Sequence, residues 1–321
     1  MPMIDMPLDE LKTYSGRGIK PKDFEEYWDR ALAEMEATDP QLEITENEIR
    51  LPNVKCYDMY FSGVRNGRVH AKIVKPAHIE GKLPAVLFFH GYSGAIDDWT
   101  GLMSYVAMGY IAVGMDARGQ GGLSSDKNPV EGNTLHGHII RGLDDPDPDN
   151  LLFRQIFLDT AQLAKIVSGF DDVDENKIAA AGGSQGGALT VACAALSPAV
   201  KMAAAEFPFL SDYRRVWEMD MAERAYAELK EYFRHFDPTH AREDEIFEKL
   251  GYIDLQFLAP RIKAEIMFGT GLMDNVCPPS TQFAIYNKIT APKKMVIYPD
   301  FGHEGLKGFY DIRAEFFAKL M

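Results

Sequence analysis

One stretch decides the fold of this chain: Lys177-Ile178-Ala179-Ala180-Ala181-Gly182-Gly183-Ser184-Gln185-Gly186. Residues 177–182 are small and apolar enough for a buried parallel strand, and residues 188–196 are typical of a buried helix. Ser184 therefore lies in a Gly-x-Ser-x-Gly sequence at the turn from strand to helix. A side chain at Gly182 or Gly186 would crowd the crossing of strand and helix. We therefore expect a strained turn that lifts the Ser184 hydroxyl out of the sheet.

A serine at such a turn needs two partners elsewhere in the chain. A hydroxyl is a weak nucleophile at neutral pH unless a histidine accepts its proton and a carboxylate orients that histidine. In α/β-hydrolases the acid and then the histidine follow the serine. Between positions 254 and 300 the acidic residues are Glu265, inside a predicted strand, and Asp274, in the loop after it. His303 follows the next predicted strand and is the last histidine. We predict Ser184 as nucleophile, Asp274 as acid and His303 as base.

Catalysis also requires amide donors for the negatively charged oxygen of the tetrahedral intermediate. Each such donor contributes a factor of about 10²–10³ to the rate. The apolar run at residues 84–89 ends in a loop, His90-Gly91-Tyr92-Ser93-Gly94, that can direct the Tyr92 amide toward an ester carbonyl. The Gln185 amide is expected to be the second donor. Taken singly, Ser184 could be a helix N-cap, His303 a loop residue and Asp274 a turn residue. Their order, each at a strand end, favours the catalytic interpretation.

The rest of the chain predicts an α/β protein. From residue 85 onward apolar strands alternate with helices, which indicates a mostly parallel central sheet with helices on both faces. Before it, an amphipathic helix is predicted over 21–36 and antiparallel strands over 57–64 and 68–74, joined around Asn66-Gly67. We expect residues 1–321 to form a single α/β-hydrolase domain, with an N-terminal helical extension over about 1–45 and a helical cap insertion over about 207–258.

The segment over 121–150 is rich in Gly, Asp and Pro, and it predicts a loop. It is interpreted as solvated, with a rim that shapes the site or a subunit contact as the alternatives. Within it, His136-Gly137-His138 could chelate a metal ion, but the sequence offers no evident third ligand. No metal site is predicted.

Composition limits the choice of partners. The 321 residues carry a net charge of −14, which disfavours nucleic acids and anionic membranes. The three cysteines, Cys56, Cys193 and Cys277, are too few for a disulfide framework. The first residues lack the basic and apolar regions of a secretory signal, and no apolar run is long enough to span a membrane. A cytoplasmic protein is therefore expected.

Further motifs surround the predicted catalytic residues. They are Asp5-Met6-Pro7-Leu8 with Tyr14 and Trp28, Arg118-Gly119-Gln120, Gly182-x-Ser184-Gln185-Gly186-Gly187, Asp274-x-x-Cys277-Pro278-Pro279-Ser280, and His303-Glu304. Through them the chain resembles the cephalosporin C deacetylase and acetyl xylan esterase family, carbohydrate esterase family seven, over nearly its whole length. Leu151-Leu152-Phe153 departs from the tyrosine-rich run usual in that family, a difference outside the catalytic residues that bears on substrate preference and assembly.

The resemblance implies deacetylation of small esters without a cofactor, with acetylated xylo-oligosaccharides and cephalosporin C as substrates. It also implies a homo-hexamer, and it supports the amides of Tyr92 and Gln185 as oxyanion donors. The supporting residues that it implies are Arg118, Gly119, Gln120 and Glu304, with Arg118 and Gln120 holding the loops around the nucleophile. The alternatives are a peptidase or dienelactone-type hydrolase on the same scaffold, and a non-catalytic binding protein.

Overall fold

The computed structural model describes residues 4–135 and 137–321, and in these residues it shows a nine-stranded sheet. In chain order the strands are β1 (Glu43–Glu46), β2 (Val54–Gly63), β3 (Gly67–Pro76), β4 (Leu83–Phe89), β5 (Ile111–Met115), β6 (Val173–Gly183), β7 (Val200–Glu206), β8 (Glu265–Gly271) and β9 (Lys293–Tyr298). Their spatial order is β1-β2-β3-β5-β4-β6-β7-β8-β9. The pairs β1/β2, β2/β3 and β3/β5 are antiparallel, and the others are parallel. This confirms the mostly parallel sheet with antiparallel N-terminal strands.

Helices cover both faces of the sheet. They are α1 (Leu8–Leu11), α2 (Phe24–Ala37), α3 (Met103–Ala107), α4 (Leu152–Ser168), α5 (Gln185–Leu196), α6 (Tyr213–Glu218), α7 (Ala227–Phe236), α8 (Glu243–Leu250), α9 (Leu255–Leu258), α10 (Pro279–Lys288) and α11 (Phe309–Phe317). Alternate residues of β4 enter two separate cores: Leu87 joins the core that includes α2, α4 and α5, and Val86 joins the core that includes α3 and α11. Among the described residues no helix is both long and apolar enough to cross a membrane.

The segment between β7 and β8 contains four short helices, α6 to α9, as the sequence predicted. Its aromatic side chains mostly pack on one another, as in the contact between the rings of Trp217 and Phe233, whose centroids are 4.6 Å apart.

At the start of α4, residues 151–153 are buried in the core. Leu151, Leu152 and Phe153 therefore pack inside this chain.

Two boundaries near the N-terminus differ from the prediction. The hairpin between β2 and β3 turns at Arg65 and Asn66, whose φ values are 53° and 63°, one residue earlier than predicted. Gly67 already belongs to β3, and a Cβ there would lie 2.2 Å from the central guanidinium carbon of Arg118. Its small size therefore serves packing and not the turn. The strand β1 starts at Glu43, inside the segment expected to be a helical extension, because it gains backbone hydrogen bonds by pairing with β2.

Candidate active site

Ser184 is the one residue between β6 and α5, and its backbone is strained, with φ of 57° and ψ of −120°. The neighbouring glycines make this turn possible. A Cβ at Gly182 would lie 2.5 Å from the carbonyl carbon of Gly186, and a Cβ at Gly186 would lie 2.1 Å from the carbonyl oxygen of Phe89. Neither position tolerates a side chain, because strand β6, strand β4 and helix α5 meet there. The strained turn expected from the sequence is present.

Ser184, His303 and Asp274 form a chain of hydrogen bonds. His303 Nε2 lies 3.0 Å from Ser184 Oγ, and His303 Nδ1 lies 2.9 Å from Asp274 Oδ2. The buried Asp274 accepts two more bonds at Oδ1, from the backbone N–H groups of Val276 and Cys277 at 2.9 and 2.8 Å. A carboxylate only accepts, so Nδ1 carries the imidazole proton and Nε2 is free to accept the proton of Ser184. The three residues follow β6, β8 and β9, whose carboxyl ends meet at one edge of the sheet.

The N-terminal segment holds the loop that follows Asp274. Asp5 Oδ2 accepts the backbone N–H of Ser280 at 2.7 Å, and Asp5 Oδ1 accepts Arg215 Nη2 at 2.7 Å. Leu11 packs with Leu272, two residues before Asp274. The Asp5 motif therefore braces the acid loop from outside, which gives the N-terminal sequence signature a physical role.

The loop after β4 presents the Tyr92 amide. His90 Nε2 accepts the backbone N–H of Ala117 at 2.9 Å, so His90 Nδ1 carries a proton and donates it to the Gly91 carbonyl at 2.7 Å. Burial lowers the pKa of His90, which favours this neutral form. The Gly91 carbonyl and the Tyr92 N–H belong to one planar trans peptide and point in opposite directions. By fixing the carbonyl, His90 also fixes the direction of the Tyr92 N–H.

A pair of glutamines joins this loop to the residue after Ser184. Gln120 Nε2 donates to Gln185 Oε1 at 2.8 Å, and Gln185 Nε2 donates back to Gln120 Oε1 at 3.0 Å. Gln120 Oε1 also accepts the backbone N–H of Ser93 at 2.9 Å. Within residues 4–135 and 137–321, no acceptor is paired with the backbone amide of Tyr92 or of Gln185. Both amides are therefore available to a ligand.

The other three supporting residues, Arg118, Gly119 and Glu304, lie in different surroundings. Arg118 is fully buried, and it donates to the carboxylate of Asp159 in α4 and, at 2.9 Å, to the Val64 carbonyl in the β2–β3 turn. Its bonds therefore tie the hairpin to α4, whereas the expectation placed it around the nucleophile. Gly119 has a φ of 71°, which favours glycine. Glu304 Oε1 accepts the backbone N–H of Gly302 at 3.0 Å and so steadies the turn that carries His303.

A second buried acidic side chain, Glu206, lies beside the site. A cavity of about 550 Å³ reaches Gly183, which precedes Ser184, and is lined by Glu206, Phe207 and Arg313. Burial raises the pKa of Glu206 to about 7, against the opposing charge of Arg313, whose Nη1 donates to Glu206 at 3.0 Å. The ring of Phe207 packs on the imidazole of His303, with centroids 4.7 Å apart. Phe207 thus contacts both this cavity and the imidazole of His303.

Two groups of residues bring metal-ligating side chains close to the site. Among the described residues, Asp274, Cys277 and His303 bring ligand atoms within 4.8 Å of one another, a set that could hold a cation. The imidazole nitrogens of His303 are already engaged with Ser184 and Asp274, and this set coincides with the hydrogen-bonded chain. In the second group, His136 lies outside the described residues, and His138 Nε2 is 3.1 Å from the hydroxyl of Ser93.

Sequence reasoning missed Glu206 and also a second buried acid at this site. Glu228 of α7 accepts the hydroxyl of Tyr92 at 2.7 Å and is 2% exposed. A single glutamate on an amphipathic helix carries no distinctive sequence signal, because most such residues face solvent. The contact joins the segment between β7 and β8 to the loop that presents the Tyr92 amide.

Comparison with known proteins places the chain in a family. Residues 1–320 match the family model described as acetyl xylan esterase. The chain belongs to the acetyl xylan esterase family. A crystal structure of acetyl xylan esterase 1 from Thermoanaerobacterium sp. JW/SL YS485 is 54% identical, with a TM-score of 0.97 and 99% of both chains covered. An acetyl xylan esterase from Paenibacillus sp. R4 is 34% identical, with a TM-score of 0.93, and the match covers 98% of this chain and 100% of that one.

A curated relative extends the comparison within the acetyl xylan esterase family. The acetyl esterase Axe7A of Xylanibacter ruminicola is 28% identical over 297 residues, which is 90% of this chain. The chain spans 64% of the length of that relative. The resemblance inferred from the sequence motifs is confirmed, and so is the α/β-hydrolase fold.

Proposed function

We propose that this chain is a serine esterase that removes acetyl groups from small acetylated substrates, with acetylated xylo-oligosaccharides and cephalosporin C as candidates. The observation that carries the proposal is the chain of hydrogen bonds from Ser184 through His303 to Asp274, at 3.0 and 2.9 Å. Membership of the acetyl xylan esterase family supports the acetyl group as the part that is transferred.

In the acylation step, Ser184 Oγ attacks the acetyl carbonyl carbon while His303 Nε2 takes the hydroxyl proton. The carbonyl oxygen becomes negatively charged, and the amides of Tyr92 and Gln185 are the proposed donors to it. Asp274 stabilises the imidazolium that forms. The tetrahedral intermediate collapses when His303 returns the proton to the leaving sugar oxygen, and an acetyl-enzyme remains.

Deacylation repeats these steps with water. His303 removes a proton from a water molecule, the resulting oxygen attacks the acetyl carbon, and the proton passes to Ser184 Oγ as acetate leaves. Every step in this scheme uses side chains and amides of the chain itself. We also propose that residues 207–258 act as a cap, since α7 from this segment contacts Tyr92 through Glu228.

The acyl specificity is proposed to be for short chains. Aromatic rings stand close to the reacting residues: Phe207 packs on His303, and Phe209 packs on Tyr92 with centroids 5.2 Å apart. We expect hydrolysis rates to fall from acetyl to butyryl to octanoyl esters of one alcohol, because a longer chain must displace these rings. Equal rates on octanoyl esters would contradict a small acyl pocket.

The proposal includes a homo-hexamer and a cytoplasmic location, both of which rest on the sequence resemblance and composition. Light scattering coupled to gel filtration is expected to give six times the mass of one chain. A monomer would remove assembly from the proposal and leave the chemistry in place.

Acetate release tests the function directly. Wild-type protein and Ser184→Ala are incubated in parallel with acetylated xylo-oligosaccharides, with cephalosporin C and with a peptide, and both free acetate and newly formed peptide amino groups are measured. Acetate release from the two esters that is lost in Ser184→Ala is expected, with little cleavage of the peptide, whose amide nitrogen is a poor leaving group. Faster cleavage of the peptide than of the esters would favour a peptidase.

A further inference from the structure

A buried carboxylate connects helix α7 to the loop that presents the Tyr92 amide. Glu228 Oε1 accepts the Tyr92 hydroxyl at 2.7 Å, and it also accepts the backbone N–H groups of His138 and Ile139 at 2.9 and 2.5 Å. The His138 N–H lies 2.8 Å from the Tyr92 hydroxyl oxygen as well. One oxygen atom therefore holds three parts of the chain together: α7, the loop after β4, and the loop around residue 138.

The sequence around residue 138 is suited to this carboxylate. A Cβ at Gly137 would lie 1.9 Å from Glu228 Oε2, so only glycine leaves room for the side chain. The two following amides point at Oε1. The His-Gly-His motif, considered above as a metal ligand, thus forms in its described part a pocket of backbone amides for an acid.

The position of the Tyr92 side chain bears on its backbone amide. His90 fixes the peptide on one side of the Tyr92 Cα, and Glu228 fixes the end of the side chain on the other. The ring between them packs on Phe209 and His138. With both ends held, the amide has little freedom, and a preorganised donor stabilises a developing oxyanion more than one that must reorient.

We propose that Glu228 is a positioning residue that holds the Tyr92 amide in the geometry of the oxyanion hole, so that the α7 segment contributes to turnover as well as to enclosure. The inference rests on the proposed function, because it assigns Tyr92 a donor role. Glu228 acts through Tyr92 and does not touch the reacting atoms. Loss of the contact between Glu228 and Tyr92 therefore reduces the stabilisation of the transition state, while ground-state binding of an acetyl ester stays nearly unchanged.

The test compares Glu228→Gln, Glu228→Ala and Tyr92→Phe with the control Tyr232→Phe. Tyr232 lies on the same helix, and its hydroxyl donates to Asp144 in the neighbouring loop without contacting Tyr92. With p-nitrophenyl acetate we expect kcat to fall about tenfold in Glu228→Gln and Tyr92→Phe and about 100-fold in Glu228→Ala, at a KM within about twofold of wild type. Tyr232→Phe is expected to stay within about twofold in both.

A second readout separates oxyanion stabilisation from general cap docking. A boronic acid forms a tetrahedral adduct with an active-site serine, so its inhibition constant should rise by the factor by which kcat/KM falls. In the double variant Tyr92→Phe/Glu228→Gln, the loss should be smaller than the product of the single losses, because both changes break one contact. If Glu228→Ala does not fold, Tyr92→Phe and Glu228→Gln decide the question.

Three results would overturn the inference: kcat unchanged in the Glu228 variants and in Tyr92→Phe, a loss confined to KM, or an equal loss in Tyr232→Phe. The proposed function is checked separately in the same experiment by labelling Ser184 of the wild-type protein with a fluorophosphonate. A wild-type protein that is neither labelled nor active refutes the proposed function, and with it the role of Glu228. An active wild type with unaffected variants refutes the role of Glu228 alone.

Discussion

His303 and His70 each bridge a buried aspartate and a second polar group, but of these two only His303 faces a hydroxyl group. His303 lies between Asp274 at 2.9 Å and the Ser184 hydroxyl at 3.0 Å. His70 lies between Asp116 at 2.7 Å and Asp58 at 3.0 Å. The side chain of His303 is 18% exposed, whereas that of His70 is fully buried.

The second partner decides what each histidine can do. A hydroxyl can give a proton to Nε2 and take it back, so His303 is suited to shuttle protons. Two carboxylates stabilise the charged imidazolium instead. Burial lowers the pKa of His70, but the hydrogen bonds to Asp116 and Asp58 outweigh it and leave the pKa raised. A histidine next to an aspartate thus faces a hydroxyl in one region and a second carboxylate, which favours the charged imidazolium, in the other.

The largest expected effect comes from replacing the histidine that faces the hydroxyl. In His303→Gln we expect kcat for an acetyl ester to fall about 10⁵-fold, because the hydroxyl loses its base. The thermal midpoint should change little, since the side chain is partly exposed. Steady-state kinetics and calorimetry on the same preparation check both statements, and a loss below about tenfold would assign the base elsewhere.

The next effect tests the acid partner of the same histidine. Asp274→Asn keeps the shape but can donate a hydrogen bond to Nδ1, which favours the imidazole tautomer with its proton on Nε2. We expect kcat to fall about 10⁴-fold. Measured rates within tenfold of wild type would mean that Asp274 does not orient His303.

The matched change in the other region should affect stability and not turnover. His70→Gln removes the imidazole between Asp116 and Asp58, and we expect the free energy of unfolding to fall by about 2–3 kcal/mol, the cost of leaving a buried acid with fewer donors. The folded variant should keep kcat within about twofold. Urea unfolding and kinetics provide the check, and a large loss of kcat at unchanged stability would contradict the structural role.

The smallest expected effect is a pH dependence of the difference in unfolding free energy between wild type and His70→Gln. The pKa of His70 is raised in the folded state, so its stabilising contribution is complete below the unfolded pKa of about 6.5 and is lost as pH rises through the folded value. The stability difference between wild type and His70→Gln should therefore shrink as pH rises above about 6.5. Other groups, such as Glu206 with a pKa of about 7, titrate in both proteins and cancel. A difference that grows with pH would contradict the sign.

The sequence predicts which residues lie together at the site when each of them follows a strand. Ser184, Asp274 and His303 each follow a strand, and the carboxyl ends of parallel strands converge, so order and position sufficed to bring them together. Their mutual distances agree with that expectation, while their roles remain proposals. The Gly-x-Ser-x-Gly turn is local, and local sterics predicted its strain correctly.

Contacts between segments that are far apart in the sequence could not be predicted in this way. Glu228 meets Tyr92 across 136 positions, and His70 meets Asp116 across 46, with no motif to mark either pair. Arg118 was assigned to the nucleophile loops by resemblance, but its bonds to Asp159 and Val64 depend on how α4 packs on the hairpin. Gly67 favoured a turn in the sequence, whereas in the structure its missing side chain leaves room for the buried guanidinium of Arg118.

Trapping the acyl-enzyme tests the central claim most directly. Wild-type protein and Cys277→Ala are mixed with an acetyl ester, quenched in acid during turnover, digested and sequenced by mass spectrometry. The thiol of Cys277 is the matched rival, because it lies within 4.8 Å of the ligand atoms of Asp274 and His303. We predict an acetyl group on Ser184 in both proteins. An acetyl group on Cys277, or activity that is lost in Cys277→Ala while Ser184 stays unmodified, would contradict the account.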